Sequence, residues 1–86
     1  MKLGIIKGTI VATKKDEKLV GYKLMIVQPI NQKYNEEGNA IVCVDTVGSG
    51  IGEVVILSCG TAARFACADN QTPIDAAIVG IVDDIN

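Results

Sequence analysis

Five carboxylates, Asp45, Glu53, Asp75, Asp83 and Asp84, are the residues of this chain best suited to acid–base work, and two of them bracket a glycine-rich segment. That segment, VGSGIGEVV from Val47 to Val55, sets Gly48, Gly50 and Gly52 at alternate positions. Closely spaced glycines often open a backbone for a phosphate. A phosphate loop, however, needs GxxxxGK[ST] between a strand and a helix, and here no lysine follows Gly52. A dinucleotide turn needs GxGxxG at the start of a helix, whereas an apolar, strand-like stretch comes next. The segment reads as a tight strand-to-strand connection in which the chain takes positive φ angles or passes close to another backbone. The carboxylates lack companions as well. With no histidine in the chain, no set of nucleophile, base and oxyanion donors can be assembled. Asp45 and Glu53 then read as hydrogen-bond acceptors at strand ends. No catalytic residue, cofactor or metal site is expected.

The three cysteines, Cys43, Cys59 and Cys67, are odd in number and spaced by 16 and 8 residues. That pattern matches no CxxC metal or redox arrangement, and no histidine completes a zinc site. They read as small apolar fillers in a reducing compartment.

These residues must be positioned by a chain of 86 residues, enough for one domain over residues 1–86. Its formal net charge of −2 provides no basic surplus to displace counterions from phosphate. Lys14, Lys15 and Lys18 cluster, but Asp16 and Glu17 sit among them, as in a solvated hairpin tip. The aromatics are Tyr22, Tyr34 and Phe65 alone, too few for the base-stacking groove of an oligonucleotide-binding barrel, which is the alternative reading from another functional class. Lys7 interrupts the apolar N-terminus, and the longest apolar runs fall short of the ~20 residues of a membrane span. A cytoplasmic protein with no nucleic-acid or membrane partner is expected.

Isoleucine and valine, 12 and 10 of them, favour pleated surfaces over helices. Five strand-like stretches follow. Gly4–Thr13 alternates, with Ile6, Gly8, Ile10 and Ala12 on one face and Ile5, Lys7, Thr9, Val11 and Thr13 on the other. In Leu19–Ile30, Val20, Tyr22, Leu24 and Ile26 share a face, and Pro29 is expected to end the strand because it donates no ladder bond. Asn31–Asn39 is a polar loop. Ala40–Val47, apart from Asp45 and Thr46, and likewise Glu53–Cys59 and Ile74–Asp83 are apolar on both faces. A short helix over Thr61–Ala68 is expected, with Thr61 capping its first turn, Phe65 as an apolar plug and Pro73 preventing continuation. Strands with two apolar faces are normally covered on both. A single barrel covers only the inner ones, so subunit contacts are expected to cover the rest.

The pieces GTIVATKK (Gly8–Lys15), LVGYKLMIVQPI (Leu19–Ile30), VDTVGSGIGEVVILSCGTAARFA (Val44–Ala66) and PIDAAIVGIVD (Pro73–Asp83) together resemble the EutN/CcmL family of bacterial microcompartment vertex proteins. The resemblance implies an all-β fold with one short helix: a small five-stranded barrel, similar to the oligonucleotide-binding architecture, assembling as a cyclic pentamer. It implies a structural role at the vertices of a polyhedral shell, with further copies of itself and hexameric shell proteins as partners, and it carries over no catalytic residue. Gly48, Ser49, Gly50, Ile51, Gly52 and Glu53 are then expected at or near subunit contacts or the five-fold axis. Gly50 is expected to carry a backbone constraint, and Ser49 to be tolerant of change. Arg64 either reaches an acidic group on a neighbour, such as Glu53 or Asp45, or stands solvated on its helix.

Overall fold

The computed structural model describes residues 1–67 and 73–86. The β-branched stretches form β1 (Lys2–Ile10), β2 (Lys23–Ile30), β3 (Ile41–Asp45), β4 (Val54–Cys59) and β5 (Ala76–Ile81), with one helix, α1 (Thr61–Ala66), between β4 and β5. The strands close into a barrel in the order β1-β2-β3-β5-β4. Neighbours are antiparallel except β3 and β5, which run parallel. A single 3₁₀ turn, Glu17–Leu19, tightens the charged connection between β1 and β2.

Ile6, Met25, Val27, Cys43, Val55, Leu57 and Ile78 fill the barrel interior. The interior face of β2 is therefore the Met25–Val27 face, and the Leu24–Ile26 face points outward. Pro29 does not end β2: it lies inside the strand, opposite Gly4 of β1. The ladder to β3 stops at Val27, and beyond that point this side of β2 faces the following loop, where the Pro29 carbonyl accepts from the N–H of Glu37 and a residue without an N–H is accommodated. A register shift between Ile6 and Gly8 breaks the simple alternation expected along β1.

The helix differs from expectation in three ways. Its N-cap is Gly60, with no side-chain cap, so Thr61 is the first helical residue. The helix ends at Ala66, and Ala68 lies outside the described residues. Phe65 is 64% exposed and plugs nothing among the described residues.

What α1 does cover is a second apolar cluster. Val44, Ala63, Ile74 and Ala77 are buried together, with Leu19, Tyr22, Leu24, Cys67 and Val79 packed around them. Val44 and Ala77 are cross-strand partners on the outer side of the barrel, while Ala76 and Ile78 on either side of Ala77 point into the interior. Part of the two-sided apolar character of β3 and β5 is thus satisfied inside one chain. The outer faces of β1 and β4 and the outward Val42 of β3 are not covered by this cluster.

Candidate functional site

The connection from β3 to β4 is the glycine segment, and its geometry is set by two carboxylates. Asp45, the last residue of β3, turns its side chain back over the loop. One oxygen accepts from the N–H of Val47 at 3.1 Å and the other from the N–H of Ser49 at 2.8 Å. The first of these is the local turn that an aspartate makes with the backbone two residues on. Lys23 is the cross-strand partner of Asp45. Its Nζ donates to the carbonyl of Ser49 at 3.0 Å and lies 3.8 Å from the Asp45 carboxylate. The Asp45 side chain is fully buried, whereas that of Lys23 is half exposed.

Glu53 holds the other half of the loop. Its Oε1 accepts from the N–H of Gly50 at 2.6 Å, and its own N–H donates to the carbonyl of Gly50. The N–H of Gly52 donates to the carbonyl of Ile6, and the N–H of Ile6 to the carbonyl of Glu53, so the loop extends the β1–β4 ladder ahead of the first residue of β4. The amides of Val47, Ser49, Gly50, Gly52 and Glu53 are therefore committed within the chain. A phosphate cradle needs such amides free and no carboxylate beside them. This loop has the opposite electrostatics.

Of the three glycines in this loop, Gly48 (φ 77°) and Gly52 (φ 90°) have positive φ. Gly50 is not among them, and a Cβ built there meets only Glu53 Oε1 at an ordinary 3.5 Å. The backbone constraint expected at Gly50 thus falls on its two neighbours. Gly52→Ala is expected to cost about 1–2 kcal/mol because an L side chain strains that conformation, and Gly50→Ala less than about 1 kcal/mol. Urea-unfolding midpoints of the two variants check the order.

Ser49 is 1% exposed, and its hydroxyl has no hydrogen-bond partner among the described residues. A buried hydroxyl without a partner costs about 1–3 kcal/mol. Ser49→Ala is expected to leave the loop intact and raise stability by about 1 kcal/mol, read as a higher melting temperature. A lower one would mean that the hydroxyl is used. At the tip, Ile51 is 67% exposed and Val47 also faces outward.

Arg64 lies elsewhere, on α1, where its Nε donates to the carbonyl of Ile74 at 3.2 Å. It thereby bridges the helix to the segment leading into β5 and is half-buried, which differs from a freely solvated helix residue. Of the two expected acidic partners, Asp45 is sealed within its own loop, and Glu53 is partly buried with its Oε1 bonded to Gly50. Asp75, Asp83 and Asp84 are exposed. Among the described residues, no three His, Cys, Asp or Glu side chains are grouped to hold a metal ion.

Cys43 and Cys59 are free thiols. Cys43 is buried in the barrel, and burial first, then the neighbouring Cys59 and Asp75, pushes its thiol up to about 12. It is a neutral filler, as expected. Cys59 at the end of β4 is exposed, which does not match the filler reading.

Lys23 was not legible as a loop anchor, although Asp45 followed two residues on by Val47 carries the local turn signal. The lysine becomes visible only once β2 and β3 are paired in register.

Residues 1–83 match the family described as ethanolamine utilisation protein EutN/carboxysome. The bacterial microcompartment shell vertex protein GrpN of Rhodospirillum rubrum (strain F11) is 48% identical over 85 residues, covering 99% of this chain and 96% of that protein. A solved structure of the GrpN pentameric microcompartment shell protein superposes with a TM-score of 0.91, covering 100% of this chain and 98% of that one. A solved ethanolamine utilization protein EutN, 37% identical, superposes with a TM-score of 0.95 over 100% of this chain and 90% of its own.

Proposed function

This chain belongs to the EutN/CcmL family, and on that premise we propose that it is a structural vertex subunit of a bacterial microcompartment shell, working as a homopentamer. The observation that carries the reading is the apolar surface left bare on a closed barrel whose relatives are pentameric shell proteins. Val42 is 50% exposed, Phe65 64% and Ile51 67%, and large side chains of this kind stay in water at a free-energy cost of about 25 cal/mol per Å². A ring of identical copies covers such faces by a head-to-tail contact in which one patch meets a different patch of the next subunit.

In this reading Gly48 to Glu53 lie at the subunit contact or around the five-fold axis. The loop is suited to that place: its backbone is fixed from within, and it presents Ile51 and Val47 outward. Arg64 lies at the rim of a contact, within reach of a neighbour's Glu53. The ring fills the pentagonal positions of a shell otherwise tiled by hexameric shell proteins, in the cytoplasm, and it performs no catalytic step and needs no cofactor. Relatives named as vertex proteins support this assignment.

Coexpression with a hexameric shell protein tests it. Electron microscopy is expected to show closed polyhedral particles with this chain present and open sheets or tubes without it. Unchanged hexamer assemblies would contradict the proposal. The nucleic-acid alternative predicts retention of single strands in a filter-binding assay at low salt, and the net charge argues against that result.

A further inference from the structure

We infer that the groove between β3 and the start of β5 is covered, in the assembled ring, by the outer β1–β4 face of the adjacent copy. The inference rests on the pentameric reading above and adds which surfaces meet.

The β3–β5 ladder is short. Its register pairs are Val44 with Ala77 and Asp45 with Ile78, so Ile41, Val42 and Cys43 have no strand on that side among the described residues. A groove of about 540 Å³ opens there, lined by Ile41, Val42, Cys59, Gly60, Asp75 and Ala76. A second groove, of about 190 Å³, shares Val42, Asp75 and Ala76 with it. Closing a barrel removes sheet edges, and an edge left open with an apolar residue beside it invites pairing. Here the seam that closes the barrel is only two register pairs long, and Val42 stands beside the unpaired stretch of β3.

The counterpart lies across the barrel. On β1 and β4, Gly4, Ile6, Val55 and Leu57 point inward, so the alternate residues Leu3, Ile5, Val54 and Ile56 point outward. They are cross-strand partners, Leu3 with Ile56 and Ile5 with Val54, and form one half-buried aliphatic patch. In the strand order β1-β2-β3-β5-β4, the strand opposite the β1–β4 pair is β3. One chain therefore carries two different apolar faces on opposite flanks, which is what a closed head-to-tail ring requires. A two-fold dimer would need one self-complementary patch instead. Charge agrees with the pairing: Lys7, two residues beyond Ile5, is half exposed and only loosely paired with Glu36 at 3.9 Å, and the groove carries the exposed Asp75.

Cys59 is a native reporter for the groove. In the assembled wild-type protein its alkylation by N-ethylmaleimide, read by peptide mass spectrometry, is expected to be at least about tenfold slower than in the urea-unfolded chain. Val42→Asp and Ile56→Asp are each expected to prevent ring closure, whereas Lys15→Ala on the hairpin tip is not. A ring whose Cys59 labels at the unfolded rate, or one that closes with either aspartate in place, overturns the face assignment and leaves the vertex reading standing. Absence of any ring in the wild type overturns both. The labelling result stands even if an aspartate variant fails to fold.

Discussion

Replacing Gly4 with valine is expected to remove about 3 kcal/mol from the stability of the barrel, while the same change at Gly8 costs less than about 1 kcal/mol. Both glycines are on β1, but their surroundings differ. Gly4 is buried between Pro29 of β2 and Val55 of β4. A Cβ built there collides with Val27 Cγ1 and stands 3.3 Å from both Leu57 Cδ1 and the carbonyl oxygen of Gln28. Val27 and Leu57 are fully buried core residues with nowhere to retreat, and the carbonyl is backbone. Interiors are close-packed, so an added side chain displaces strands. At Gly8 the nearest atom is Ile26 Cδ1 at 3.8 Å, an ordinary contact. A domain of this size has only about 4–13 kcal/mol in total. Thermal unfolding followed by circular dichroism is therefore expected to show a greatly lowered transition for Gly4→Val and a near-normal one for Gly8→Val. Equal transitions would mean that the barrel is wider at that level than its packing indicates.

Asp45→Ala is expected to cost a similar amount, about 3 kcal/mol, by a different route. The substitution removes the acceptor for two backbone N–H groups, those of Val47 and Ser49, and the ion-pair partner of Lys23. Hydrogen bonds to a charged acceptor are worth about 1.5–3 kcal/mol each. The exposed Lys23 recovers water and contributes little, so the loss lies mainly in the amides, of which that of Ser49 is buried. The barrel core is untouched, and the expected result is local: rapid hydrogen exchange over Val47–Gly52 with β1 and β2 still protected. If the loop forms part of a subunit contact, assembly is lost at protein concentrations where the wild type forms rings. Lys23→Met, which leaves both amide bonds in place, is expected to do much less. Identical exchange in Asp45→Ala and the wild type would contradict the anchoring role.

The five strands and the helix were legible because isoleucine and valine fall in period-two runs separated by charged or glycine-rich turns. Less legible was what depends on pairing. Pro29 reads as a strand end until β3 is seen to stop opposite Val27, which removes the need for a donor at Pro29. The alternation along β2 is equally apolar on both faces, so sequence alone does not say that Met25 and Val27, and not Leu24 and Ile26, fill the barrel. In sequence, the apolar excess on β3 and β5 points to a subunit contact. Yet Val44 and Ala77 lie under α1, because a helix of small residues can sit close to a sheet. Within the candidate site, three alternating glycines look alike in sequence. Only the backbone angles show that Gly48 and Gly52, and not Gly50, occupy the region closed to other residues. The residue types that settled the chemistry were nevertheless plain: two carboxylates flanking a glycine loop repel an anion, and here they grip the loop itself.

Native mass spectrometry of the purified chain at micromolar concentration tests the account most directly. The bare flanks of the barrel predict a closed five-copy ring that forms without added cofactor or metal. A folded monomer that persists at that concentration would contradict it, because Val42, Leu3 and Ile56 would then be stable in water without a neighbour.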